Sequence, residues 1–152
     1  MKVSELMTTN VLTVRPDAKV DEIARLMVAH DITGVPVVNG ENRVVGIVTE
    51  TDLIVRNAHL HFPTFLQILD ARIYLQSPRH FEEELRRMLG TTAADVMTKD
   101  VVTTRPDADL DEVATLMVEQ AANPVPVVEN GKLVGIISRS DIVRLMAHEQ
   151  AV

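Results

Sequence analysis

Two heptapeptides hold the densest chemistry in this sequence. Gly46-Ile47-Val48-Thr49-Glu50-Thr51-Asp52 is echoed by Gly135-Ile136-Ile137-Ser138-Arg139-Ser140-Asp141. In each, a β-prone run leads into two hydroxyls and a carboxylate, the composition of a helix N-terminus. Such a terminus offers unpaired N–H groups and partial positive charge to an anion. Its hydroxyls can meet a phosphate or a sugar. Its Asp can accept both hydroxyls of a ribose, as an acidic residue does in dinucleotide folds. The same residues serve equally well as helix caps, with Thr or Ser capping and Asp at the positive end. Duplication does not separate the two readings, because caps duplicate too.

The elements that must position these residues are legible. Val11 to Val14 is a short extended stretch that ends at Arg15-Pro16, where proline turns its predecessor away from helix. Asp17 is placed to cap a helix running to about His30. Val20, Ile23, Ala24, Met27 and Val28 fall on one apolar stripe, matched by Leu110, Val113, Ala114, Met117 and Val118. Val35 to Val38 and Val44 to Val48 flank Asn39-Gly40-Glu41-Asn42 and predict a hairpin. Pro36 lacks an N–H and belongs at the start or edge of its strand. A second helix is predicted from about Asp52 to Ala58. The order is β-α-β-β-α.

That order occurs twice. Met7–Val38 aligns with Met97–Val128 at a shift of 90, with 18 identities in 32 positions. After a one-residue deletion, 43–54 aligns with 132–143. Each copy is about 50 residues, too small to bury a good core alone, so the copies are expected to pack together about a pseudo-two-fold axis. Between them, 59–92 reads as a helical hairpin. Phe65, Leu66, Leu69 and Ile73 form one stripe and Phe81, Leu85, Met88 and Leu89 another, ending at Gly90. This insert packs either on its own domain or on a partner. The expected division is 1–58, 59–92 and 93–152.

Composition excludes several functions. With 15 Lys and Arg against 22 Asp and Glu, the net charge is −7, which disfavours nucleic-acid and anionic-membrane binding. Aromatics are 3%, too few for base-stacking platforms. Cysteine is absent, which removes disulfides, thiolate metal sites and cysteine nucleophiles. No apolar run approaches a membrane span and no signal-peptide pattern opens the chain, so a cytoplasmic protein is expected. His59 and His61, with His30, His80 or His148, have no fixed spacing to a third ligand, and no metal site is predicted. Walker, His-Glu-x-x-His, Gly-x-Ser-x-Gly and Gly-x-Gly-x-x-Gly motifs are absent, and no acid–base pair is evident.

The sequence resembles a tandem pair of cystathionine-β-synthase (CBS) domains, a Bateman module. The resemblance rests on Leu6-Met7-Thr8, Thr13-Val14-Arg15-Pro16-Asp17, Gly34-Val35-Pro36-Val37-Val38 and Gly46 to Asp52, with their second-copy matches. It covers about 1–56 and 93–147. It implies an α/β fold of two pseudo-symmetric β-α-β-β-α units packed together, with the helical insert between them. It also implies two clefts for adenosyl ligands: AMP, ADP, ATP, NAD-like molecules or S-adenosylmethionine. By the resemblance, Asp52 and Asp141 hold ribose, while Thr49, Thr51, Ser138 and Ser140 meet ribose or phosphate. The base would lie against Val11, Ile32, Thr33 and Gly34, and against Val101, Ala122, Asn123 and Pro124. Each cleft would take its Asp from one copy and part of its base pocket from the other.

Some relatives carry a basic residue just before the Val-Pro pair, where this chain has Thr33 and Asn123. Phosphates would then be met by Arg139, a lysine or a bound Mg²⁺. Because Glu50 and Arg139 reverse charge between the copies, the Asp141 cleft is expected to take the more highly phosphorylated ligand, and the Asp52 cleft to be weaker or to prefer a less charged adenosyl compound. The expected function is a non-enzymatic regulatory module that binds an adenine nucleotide as a regulatory ligand, with no obligatory cofactor. It would signal by shape change or association with an unidentified effector protein, as a homodimer joined through Leu53, Ile54, Ile142 and Val143. A nucleotide-processing enzyme and a ligand-free structural dimer are the alternatives.

Overall fold

The structure, a computed structural model, describes residues 1–54 and 91–149. Of the expected insert only Thr91 and Thr92 fall within these. The first copy comprises α1 (Val3–Leu6), α2 (Val20–Ala29), β1 (Gly34–Val38), β2 (Val44–Thr49) and α3, helical over 50–54. The second comprises α4 (Ala93–Val96), α5 (Leu110–Glu119), β3 (Val125–Glu129), β4 (Lys132–Ile137) and α6 (Arg139–Glu149).

Each hairpin is antiparallel, with Val35 opposite Val48 and Val125 opposite Ile137, and each is bulged one residue after its second valine. Pro36 and Pro126 lie within the paired strands, and the edge beside each is covered by a short parallel bridge. Val14 pairs with Val37 and Thr104 with Val127. Val14 N–H bonds to Pro36 C=O and Thr104 N–H to Pro126 C=O, so each proline still uses its acceptor. The other edge of each sheet is closed by the opposite copy: Thr98 pairs with Ile47, and Thr8 with Ile136.

The exchange continues into the cores. Val3, from the first copy, is fully buried with Ala108, Val113, Met117, Val125, Val127 and Ile137 of the second. Ala93, from the second, is buried with Ile23, Met27, Val35, Val37 and Val48 of the first. Backbone bonds fix both exchanged turns in place, Val3 N–H to Ala108 C=O and Ala93 N–H to Ala18 C=O. Gly46 and Gly135 are explained by the same exchange. A Cβ at Gly46 would collide with the Met97 side chain, and one at Gly135 with Met7. These glycines admit the partner copy's methionine to the sheet rather than a ligand.

Three local expectations change. Val11 to Val14 forms no strand of its own; only Val14 is paired, in a single bridge to Val37, as Thr104 is to Val127 in the second copy. Asp17 does not cap the first long helix; it sits in a turn closed by Ala18 N–H to Arg15 C=O, and α2 starts at Val20 after Lys19, which makes no side-chain cap. The reason is again the exchange: Thr91 C=O accepts the Val20 amide, and Met1 C=O accepts Leu110, so neither helix needs a capping side chain there. Val28 and Val118 also leave the apolar stripe, being 83% and 82% exposed. The buried face is narrower, centred on Ile23 and Met27 and on Val113 and Met117.

Candidate functional site

Among the described residues, the two heptapeptides each border a cleft between the copies, and each of these clefts is built from both. The first, about 460 Å³, joins Thr49, Glu50, Thr51 and Asp52 of the first copy to Thr98, Asp100, Val101, Val102 and 120–124 of the second. The second, about 260 Å³, joins Ser138, Ser140 and Asp141 to Thr8, Asn10, Val11, Leu12 and 30–34. Small-molecule pockets run from roughly 300 Å³ upward, so the first lies within that range and the second near its lower bound. Thr33 and Pro124 line both clefts and form their common wall. A side chain at Gly34 would collide with the Pro124 ring, which is why this wall can be so thin.

The carboxylates sit at the helix starts. Asp52 Oδ2 accepts the Thr49 amide at 2.9 Å and the Thr49 hydroxyl at 3.0 Å, while Asp52 N–H donates to Thr49 Oγ1 at 3.3 Å. Asp141 Oδ2 accepts the Ser138 amide at 2.8 Å and hydroxyl at 2.9 Å. Both are reciprocal capping boxes with Asp at the third helical position. The next amides are also satisfied: Glu50 N–H by Thr33 C=O, and Arg139 N–H by Asn123 Oδ1 at 2.9 Å. An anion is therefore already present at each helix start, and few amides are left there for a phosphate. Each carboxylate keeps a second oxygen outside its own capping box. Asp52 Oδ1 accepts the Thr98 hydroxyl from the opposite copy at 2.9 Å. Asp141 Oδ1 lies 3.7 Å from the Arg144 guanidinium.

The CBS domain family matches this chain twice, at residues 3–58 and 93–148. The chain belongs to the CBS-domain family. The Methanocaldococcus jannaschii protein MJ1426 is 29% identical over 96% of this chain and 91% of its own length. The CBS-domain protein ATU1752 of Agrobacterium tumefaciens is 30% identical, with TM-score 0.73 over 96% of this chain and 99% of that one. The Arabidopsis thaliana protein CBSX2, solved in complex with AMP, is 25% identical, with TM-score 0.73 over 98% of both chains.

Within this CBS pair, the site residues expected from sequence are all at the clefts. Thr49, Thr51, Asp52, Val101, Ala122 and Asn123 line the first, Val11, Ile32, Gly34, Ser138, Ser140 and Asp141 the second, and Thr33 and Pro124 both. Arg139 is the exception in placement. It lines the Asp52 cleft, beside Glu50, and not the Asp141 cleft. The Glu50–Arg139 reversal therefore cannot be what distinguishes the clefts, because its two members share one. The helix carrying Arg139 starts at the seam, and its first side chain turns to the neighbouring cleft.

Thr98, Asp100, Asn10, His30, Asp31 and Arg144 are not expected at a ligand site from sequence, yet all line the clefts. Thr8 and Thr98 follow Met7 and Met97 in both repeats, a usable signal; Arg144 is signalled by its i,i+3 spacing from Asp141 on one helix. Among the described residues, no group of three His, Asp or Glu is placed to hold a metal ion. His59, His61 and His80 lie outside the described residues. No helix of the described residues is long and apolar enough to cross a membrane.

Proposed function

We propose that this CBS pair is a regulatory module that binds an adenosyl ligand, of the AMP, ADP or ATP type, in the two clefts. On this reading CBS units at 1–58 and 93–152 flank an insert at 59–92. One observation carries the proposal: each cleft joins the hydroxyl–carboxylate group of one copy to the apolar wall of the other. Val101, Val102 and Ala122 line the first cleft together with Asp52, as Val11, Leu12 and Ile32 line the second together with Asp141. A purine on the apolar side and a ribose diol on the carboxylate would fill such a space. The AMP complex of CBSX2 supports the same reading.

Because each ligand would touch both copies, its binding would fix their relative position and so signal to an effector protein. The effector would read a shape, and no reaction is required. The capping geometry of Asp52 and Asp141 favours one alternative, a structural pair without ligand. A thermal-shift panel with AMP, ADP, ATP, NAD and S-adenosylmethionine separates them. A ligand at 100 times its Kd stabilises the fold by about 2.7 kcal/mol, which for a chain of this size raises the Tm by several degrees. No shift with any compound refutes the ligand reading, and turnover of ATP or ADP refutes the non-enzymatic one.

We further propose a homodimer. Ile54, Val143 and Met146 are 65%, 63% and 59% exposed, and burying them would remove apolar surface from water. Leu53 and Ile142, partly buried against their own cores, border this surface. Sedimentation at micromolar concentration tests this, and a monomeric mass refutes it.

A further inference from the structure

The two clefts share their ribose-facing chemistry and differ in their charge. Both present a capping carboxylate, its hydroxyl partner and a second hydroxyl, so none of these discriminates between ligands. The charged lining of the Asp52 cleft is Glu50, Asp52 and Asp100 against Arg139. That of the Asp141 cleft is Asp31 and Asp141 against Arg144 and His30. The first is acidic by two units and the second by one.

The placement of the cations sharpens the difference. Arg144 stands 3.7 Å from Asp141 and offsets the carboxylate that a ribose would meet. Asp52 has hydroxyl and amide partners in the corresponding places, from Thr49 and Thr98, which leave its charge in the cleft. The helix starts cannot compensate, because their own Asp residues and the seam already occupy the first amides.

We infer that the clefts are divided by ligand charge: the Asp141 cleft takes an anionic nucleoside monophosphate, and the Asp52 cleft an adenosyl compound whose 5′ substituent is neutral or cationic, such as a thioether or sulfonium. This inference rests on the proposed adenosyl-binding function and goes beyond it by assigning a ligand class to each cleft. The charges stand at the rims, so the discrimination falls as salt rises, the Debye length being about 10 Å at 0.1 M.

The test is calorimetry with AMP, 5′-methylthioadenosine and S-adenosylmethionine on the full chain and on Asp52→Asn and Asp141→Asn, near 50 mM salt. The stronger AMP site should vanish in Asp141→Asn and persist in Asp52→Asn, with the reverse for the two sulfur compounds. In the double variant Glu50→Gln/Asp100→Asn, AMP affinity at the Asp52 cleft should rise about three- to tenfold, and the gain should shrink at 0.5 M salt. Both positions are exposed, so this variant tests the charge without disturbing the core. AMP binding lost in Asp52→Asn but kept in Asp141→Asn overturns the inference, as does an unchanged AMP affinity in the double variant. Equal binding of all three compounds at both clefts overturns the division while leaving the adenosyl function standing. Failure of all three to bind anywhere overturns the function itself, and the division with it.

Discussion

Replacing Asp52 or Asp141 by alanine should cost stability as well as binding. In each capping box the carboxylate accepts an amide and a hydroxyl at 2.8–3.0 Å. Loss of a cap costs about 0.5–2 kcal/mol, and hydrogen bonds to a charged group stand at the upper end of the usual range. Asp52 also accepts Thr98 Oγ1 from the other copy, so Asp52→Ala removes a link between copies that Asp141→Ala does not. Both carboxylates are half-buried, which tempers the sum. We expect a loss of about 1–2 kcal/mol for each, the larger at Asp52, which lowers the Tm by roughly 3–8 °C. Asparagine keeps an acceptor toward the Thr49 or Ser138 hydroxyl and should recover much of that stability. It should not recover a ribose contact worth about 1–3 kcal/mol, because the charge is gone. Thermal denaturation and calorimetry on alanine and asparagine variants separate the two roles. Alanine variants that melt with the parent would refute the capping argument. Asparagine variants that bind every adenosyl compound like the parent would refute the ribose role.

Other consequences concern the fold. Val3→Ala deletes two buried carbons from the core of the second copy and should cost about 1.5–3 kcal/mol; hydrogen exchange should lose protection in α5, β3 and β4 more than in β1 and β2. Ala121 holds φ at +50° just beyond α5, a conformation that suits glycine, so Ala121→Gly should raise stability by about 0.5–1 kcal/mol in chemical denaturation. Lys2 and Asp109 pair at 2.8 Å; their hydrogen bond and mutual charge raise the lysine pKa and lower the carboxylate pKa. The depressed Asp109 contributes above its unfolded pKa and loses that contribution as pH falls through the folded one. Lys2 contributes below its own unfolded value and loses that as pH rises through its raised one. Lys2→Met should therefore lower the Tm slightly at neutral pH and low salt, with the difference vanishing in acid.

The elements around Asp52 and Asp141 were legible because their determinants are local. Hairpins announce themselves by β-branched runs around Asn39-Gly40, and helices by the spacing of Ile23 with Met27. The cleft residues were legible through repetition and resemblance. The exchange of first turns was not, since Val3 and Ala93 are ordinary apolar residues whose partners lie far away in the chain. That single nonlocal fact accounts for the cap expected at Asp17, whose task falls to the Thr91 carbonyl, and for Gly46 and Gly135, which face methionines. Arg139 departs from expectation for a related reason. Sequence puts it in the Asp141 run, but the first residue of a helix that starts at the seam projects into the neighbouring cleft.

The seam also bears on how a bound ligand could act at a distance. Asn123 accepts the first amide of α6 with its Oδ1 and donates to Thr33 Oγ1 at 3.4 Å with its amide nitrogen. Thr33 in turn accepts the Glu50 amide at the start of α3 through its carbonyl. The two helix starts that carry Asp52 and Asp141 are thus joined by one chain of hydrogen bonds, and both Thr33 and Pro124 are walls of both clefts. A ligand that moves Asn123 in the first cleft also moves the amide next to Ser138 in the second. Coupling between the clefts is then a property of this short bridge, and by linkage it acts equally in both directions. In an Asn123→Ala variant the first amide of α6 loses its acceptor and the strut to Thr33 is cut. The affinity of each cleft should then become independent of whether the other is filled, while each still binds. Titration of one ligand in the presence and absence of saturating second ligand measures this, and coupling that survives the substitution would refute the bridge.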